Sequence, residues 1–315
     1  MDMRDAYFDK LVDLALRDQR VVFLTSDHDA FALKRFRQLI PSRYFNVGIA
    51  EQNMVGVASG LALRGFIPFV YGITPFVTQR VYEHLVLDIA AMNLPVHIVG
   101  VGSGFSYSTD GPSHHGLMEI SSVLSIPGLV MQCSSDPIST SEFVSRSIAL
   151  QRPTYTSIER GILSDLPRLE GSCDEFIVCR DGSDGVIFSI GAITHDVMIS
   201  ANRLAEDIGI SLMVVNVLVV DDGFEGHVAR LIDSQKNVFS VEEGYVDGLG
   251  LRLSHAMHRF GLKVSFQSLG AQKRYFFESG SRSYMKKLAG ISAEQIYEKI
   301  EKAYRSQVLV QHSNS

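Results

Sequence analysis

Apolar positions along the 315-residue chain switch repeatedly between the 3.6-residue period of a helix and the continuous runs of a buried strand. Residues 5–18 place Ala6, Phe8, Leu11, Leu14 and Leu16 at mostly helical spacing, and the run Val21–Thr25 then reads as a strand ending in the polar turn Ser26-Asp27-His28-Asp29. After a further helix, residues 44–47 read as a short strand and residues 51–63 as a helix. Gly56 and Gly60 lie one turn apart in that helix. Each costs about 1 kcal/mol relative to alanine, a cost accepted where another backbone comes very close. The alternation continues with strand 67–71, helix 76–93 and strand 96–101, then strands at 128–131 and 153–158. A looser acidic stretch, 161–184, carries glycine and serine and holds the domain boundary. Beyond it, strands 185–190, 212–217, 237–241 and 263–269 alternate with helices 195–208, 223–233 and 249–260. A last helix, 293–305, precedes a polar tail, 311–315, that is expected to be disordered. Strands alternating with helices predict parallel sheets covered on both faces. The expectation is two doubly wound α/β domains, residues 1–165 and 183–315.

Composition narrows the function. Hydrophobic residues make up 46% and charged residues 20%, enough for sizeable cores. A net charge of −6 gives no basic face for nucleic acid, although one or two local arginines suffice for a small anionic substrate. Cys133, Cys173 and Cys179 are odd in number and lack CxxC spacing, which argues against a disulfide framework or zinc knuckle and fits a reducing compartment. The charged start, MDMRDA, is unlike a signal peptide, and no apolar run approaches the ~20 residues of a membrane helix. A cytoplasmic protein without membrane or nucleic-acid partners is expected.

Four places hold residues poorly suited to structure alone. Glu51 stands after a strand among small and apolar residues, at the start of the glycine-bearing helix. It is either an acid stabilised by the helix dipole or a partly buried carboxylate that binds a ligand nitrogen. Phe69, Tyr71, Phe76 and Tyr82 surround a loop of Gly72, Thr74 and Pro75; Arg80, one turn beyond Phe76, is either a solvated charge or faces an anionic group beside the ring. Residues 102–116 (GSGFSYSTDGPSHHG) follow a strand, where ligands collect in open α/β sheets. They bring Asp110 and His114 together among small residues, and imidazole exchanges protons near neutral pH. Adjacent His114 and His115 do not converge on one metal. Finally, Arg160 ends a strand; it is either solvated or shaped for a bidentate phosphate contact.

The strings YFNVGIAEQNMVGVASGLALRG, PFVYGITPFVTQRVYEHL, STDGPSHHG and PTYTSIERG, in that order, resemble the pyrimidine domain of the transketolase family. IFSIGAITHDVMISANRLAEDIGISLMVVNV and VEEGYVDGLG resemble its C-terminal domain. The resemblance implies thiamine diphosphate as cofactor. It assigns Glu51 to the aminopyrimidine ring, driving it to its imino form, with Ile49 beside it in the cofactor site. Phe76 becomes the aromatic stacked on that ring, and Asp110 and His114 the pair that reads a donor hydroxyl and assists proton transfer. Arg160 becomes a substrate-phosphate contact, Asp27 a substrate-binding acid near the mouth, and Arg80, the arginine of a split-transketolase Gly-Arg in which Gln79 replaces the glycine, a further substrate-binding residue. The family's diphosphate and Mg2+ (or similar ion) site has no counterpart: Asp181-Gly182-Ser183-Asp184-Gly185 lies at the domain boundary, outside the required context.

The expected enzyme is therefore one subunit of a split transketolase. It transfers a two-carbon ketol unit from a ketose, phosphorylated in the expected case, to an aldose. A partner chain carries the metal and diphosphate, most simply in an α2β2 assembly, with the Gly56/Gly60 helix nearest the interface. Thr109 replaces the usual acid before DGP, and His115 the usual glutamine; both are expected beside the substrate. The rival readings are a deoxyxylulose-phosphate-synthase-like enzyme, a 2-oxo acid dehydrogenase β subunit, and a non-catalytic partner.

Overall fold

Apolar runs without alternation are buried on both faces, which is the signature of parallel strands covered by helices. In the computed structural model, which describes residues 2–313, they assemble as two such sheets. The strands are β1 (Val21–Thr25), β2 (Tyr44–Asn46), β3 (Ile67–Ile73), β4 (His97–Val101), β5 (Val130–Cys133), β6 (Thr154–Ile158), β7 (Phe176–Arg180), β8 (Gly185–Ile190), β9 (Leu212–Val217), β10 (Val219–Val220), β11 (Asn237–Glu242) and β12 (Ser265–Leu269). The first sheet runs β10-β5-β6-β4-β3-β1-β2 and the second β12-β11-β8-β9-β7. Both are parallel except at one edge each, where β10 and β7 pair antiparallel. Residues of β1, β4, β5 and β6 are buried throughout. The two α/β sheets are as expected.

The structure differs from the expectation in five places. The stretch 161–184 contains β7, a strand disguised by its acidic neighbours. The run after β9 bends at Leu218, and β10 crosses to the edge of the first sheet. There Cys133 N donates to Leu218 O at 2.8 Å, so the second domain completes the first domain's sheet. The continuous helix read at 76–93 is broken into Thr74–Val77, a 3-10 turn at Gln79–Val81, a short turn at Tyr82–His84 and a π-helical segment at Leu85–Ala90. Pro75 starts it, and Thr78 leaves helical geometry while its hydroxyl donates to Thr74 O at 2.6 Å. Helix Arg282–Ala289 went unread because its few apolar positions, Tyr284, Met285, Leu288 and Ala289, are set among four polar ones in only two turns. The last helix runs Ala293–Ser313 rather than ending at 305, taking in part of the tail read as disordered; Asn314 and Ser315 lie outside the described residues.

Candidate active site

Because β1, β3, β4 and β6 are parallel, the segments that follow them emerge on one edge of the sheet. That edge gathers Ser26–Asp29, Thr74–Arg80, the 102–116 loop and Glu159–Arg160. Strand β2 delivers Glu51 there, as the first residue of helix Glu51–Leu63.

Glu51 is only 4% exposed. One carboxylate oxygen accepts from Ser26 Oγ at 3.2 Å and the other from Arg80 Nη1 at 2.9 Å. The Arg80 guanidinium also lies 4.0 Å over the Phe76 ring. Thr78 breaks the helix between Phe76 and Arg80, and Arg80 reaches both groups from the turn beyond it. Phe76 meets the His114 ring edge-on at 5.1 Å, His114 lies 6.0 Å from Tyr107, and the Arg160 guanidinium lies 5.2 Å over Tyr107. Glu51, Arg80, Phe76, His114 and Arg160 thus form one connected row. Asp110 accepts from the Thr109 hydroxyl at 3.2 Å on the same loop. Asp27 follows Ser26, but its carboxylate is engaged by the Asn46 amide at 3.0 Å. Ile49 is 79% exposed on the flank of Glu51.

The loop is closed at its neck by a bridge between Gly104 and Gly116, where Gly116 N donates to Gly104 O at 2.8 Å. A Cβ on Gly116 would lie 2.9 Å from Gly102 O and from Gly104 N, so only glycine fits. His114 Nδ1 shares a proton with Ser113 Oγ at 3.0 Å. His115 is not beside the substrate edge: it is buried edge-on to Phe105, which packs on Phe276 of the second domain. Burial holds the His115 imidazole below its ordinary range, with His114 adding to the effect.

Sequence reasoning passed over several members of this edge. Ser26 orients Glu51, and Tyr107 joins His114 to Arg160. Arg4, tied to Asp2 at 3.2 Å, acts together with Arg160 on the Tyr107 hydroxyl. Burial, then Arg4 and Arg160, push His28 down to about 4, and its Nε2 is buried without a partner among the described residues. Glu119 opens helix Glu119–Leu124 directly after the loop and accepts from Tyr155 Oη at 2.6 Å. Burial raises its carboxyl to about 7, the Tyr155 hydroxyl offsetting only part of this. For Ser26, Tyr107, His28 and Glu119 the only signal was position, after a strand or in and just beyond the loop; Arg4, in the first helix, gave none.

The arrangement fits an aminopyrimidine. A flat, cationic group with N–H donors already stacks on Phe76 and bonds to Glu51, namely Arg80. A protonated aminopyrimidine presents the same chemistry to the same two partners. Among the described residues, no group of three or more His, Cys, Asp or Glu side chains is placed to hold a metal.

A doubly wound pair of domains with this edge has clear relatives. The transketolase pyrimidine-binding domain matches residues 1–164, and the transketolase C-terminal domain matches residues 174–296. The chain belongs to the transketolase family. It is 31% identical over 301 residues to the 6-deoxy-6-sulfo-D-fructose transketolase subunit of Clostridium sp. (strain MSTE9), spanning 93% of this chain and 92% of that one. It is 28% identical to one of the apulose-4-phosphate transketolase subunits of Actinobacillus succinogenes, over 83% of this chain and 85% of the other. With the 1-deoxy-D-xylulose-5-phosphate synthase of Aquifex aeolicus it shares 29% identity over 95% of its own length, but it spans only 48% of that protein. Among solved structures, a split-gene transketolase described as an inactive β4 tetramer superposes with a TM-score of 0.82 at 24% identity, covering 96% of this chain and 98% of the other. Transketolase of Pichia stipitis superposes with a TM-score of 0.78 at 18% identity, with 45% of that chain covered.

Proposed function

We propose that the chain is the pyrimidine-binding subunit of a two-chain, thiamine-diphosphate-dependent transketolase. The observation that carries this reading is the cationic plane of Arg80 held between the Glu51 carboxylate and the Phe76 ring. Thiamine diphosphate, when bound, supplies a nucleophilic carbon that takes a two-carbon ketol unit from a ketose and passes it to an aldose. Glu51 then holds a proton at a ring nitrogen, Ser26 keeps the carboxylate turned toward the site, and Phe76 supplies the stacking face. His114, braced between Phe76 and Tyr107, moves a proton at a substrate hydroxyl, and Asp110 binds a neighbouring hydroxyl. Arg160, with Arg4 and His28 beside it, meets the anionic end of the sugar. Ile49 flanks Glu51 in the cofactor site, and Asp27 lies near the mouth.

Mg2+ or a similar ion and the diphosphate belong to the partner chain in this reading, most simply in an α2β2 assembly. Gly56 and Gly60 support it. Among the described residues, a Cβ on either meets nothing within 4 Å, so in this reading the close approach that would justify the glycines comes from another chain. Val57 and Leu63 are exposed on the same helix. Relatives named as transketolase subunits match this chain nearly end to end, which fits a split enzyme.

The similarity to 1-deoxy-D-xylulose-5-phosphate synthases favours a second reading, decarboxylation of pyruvate at the same edge. Incubating the reconstituted pair with ketose phosphates, a sulfonated ketose and pyruvate separates the two. Transfer of a two-carbon unit from a ketose is expected; carbon dioxide release from pyruvate without ketol transfer would reject the transketolase reading.

A further inference from the structure

The loop that carries Asp110 and His114 is held by the second domain, and the hold converges on one side chain. Arg282 opens helix Arg282–Ala289 and is three-quarters buried. Its Nη1 and Nη2 donate to the two oxygens of Glu159 at 2.7 and 2.9 Å, while Nε and Nη2 donate to those of Glu243 at 2.9 and 2.8 Å. Both carboxylates are almost wholly buried. Glu159 directly follows β6 and precedes Arg160, and Glu243 follows β11 in the other domain. Each also reaches the base of the loop: the Ser103 hydroxyl donates to Glu159, and Phe105 N donates to Glu243 Oε1 at 2.9 Å. Gly104 between them lets the backbone press on Glu243, since a Cβ there would come within 2.6 Å of it.

Two buried carboxylates side by side repel unless a cation divides them. A guanidinium can serve both with two-pronged bonds at once, which an ammonium cannot do. Burial alone would raise the Glu159 carboxyl; the Arg282 charge and hydrogen bonds outweigh it and hold it below the ordinary range. The loop is thus anchored to two carboxylates whose separation Arg282 sets.

We propose that Arg282 is a positioning residue for catalysis. Acting through Glu159 and Glu243, it fixes the substrate loop and the strand end bearing Arg160, and so gives the second domain a role in the site without touching substrate. The catalytic half of this proposal rests on the transketolase reading; the structural half does not.

The test uses Arg282→Lys, which keeps the charge but loses the fork, and Ser103→Ala, which removes only the loop's hydroxyl anchor. Hydrogen–deuterium exchange on the full chain should show faster exchange confined to residues 102–116 in both variants. In the enzyme reconstituted with its partner chain, D-fructose 6-phosphate and D-ribose 5-phosphate serve as probes. Ketose kcat/KM should fall at least tenfold in Arg282→Lys and less in Ser103→Ala, while the thiamine diphosphate Kd stays within about twofold. Unchanged loop exchange in Arg282→Lys overturns the proposal even if the enzyme proves not to be a transketolase. So does a loss shared equally by coenzyme binding and exchange across both sheets, which marks a merely structural ion pair. Should Arg282→Lys fail to fold, Ser103→Ala decides alone. If neither variant's exchange changes but no ketose is used by the wild type, both this proposal and the transketolase reading fall.

Discussion

Arg80 stands where the coenzyme ring is expected, so binding has to displace it, and its removal should tighten the site. The perturbation is Arg80→Met, which keeps the apolar stem and drops the charge and the N–H donors. Two contacts are at stake. The ion pair to Glu51 joins a buried carboxylate to a guanidinium that is 43% exposed, and exposed pairs contribute about 0.2–1 kcal/mol. The stack on Phe76, at 4.0 Å, adds about 0.5–1 kcal/mol at a partly open site. Together these come to roughly 0.7–2 kcal/mol, or about a 3- to 30-fold change in affinity at 1.4 kcal/mol per tenfold. Thiamine diphosphate Kd in the two-chain complex is the readout. Calorimetry suits it, because the chain contains no tryptophan to report binding by fluorescence. Arg80→Met should lower Kd by a factor in that range. An unchanged or weakened affinity would refute the idea that Arg80 occupies the ring's place.

Other outcomes can be checked in the same preparation. Glu51→Gln should nearly abolish ketol transfer while the two chains still assemble by sedimentation; near-normal turnover would remove Glu51 from its role. His114→Ala should lower kcat roughly 10²- to 10⁴-fold, the usual loss of acid–base help, and an unchanged rate would exclude it from the site. Glu119, raised to about 7 by burial, binds its proton more tightly folded than unfolded, so its contribution is present at low pH and is lost as pH rises toward and through 7. The contribution lost between about pH 5.5 and 8.5 is about 2 kcal/mol. Glu119→Gln cannot ionise, so its melting temperature should fall less than the wild type's across that range; parallel curves would contradict the burial argument.

The parts of this site that were readable in sequence share one property: each follows a strand whose apolar run announced it. Glu51, Phe76 and Arg160 lie a few residues past such a run, Asp110 and His114 sit farther out on the loop that follows another, and parallel pairing then puts them on one edge. What could not be read depends on register and distance. Ser26 matters only because β1 and β2 are neighbours, which brings its hydroxyl to Glu51. The contact of Arg80 with Glu51 spans 29 residues of chain, and the break at Thr78 beside it is smoothed over by a periodic reading of 76–93. Arg282 lies 123 residues from Glu159, on a helix with too few apolar positions to declare itself. The strand β10 was hidden because a single bend at Leu218 sends one apolar run into two different sheets.

The central claim is that this chain supplies only the ring-facing half of a coenzyme site. Titrating thiamine diphosphate with magnesium into the chain alone, into its partner chain alone, and into an equimolar mixture tests it directly. Tight, saturable binding with ketose cleavage is expected in the mixture only, and should be lost when the mixture contains Glu51→Gln. Full-affinity binding and turnover by the lone chain would contradict it.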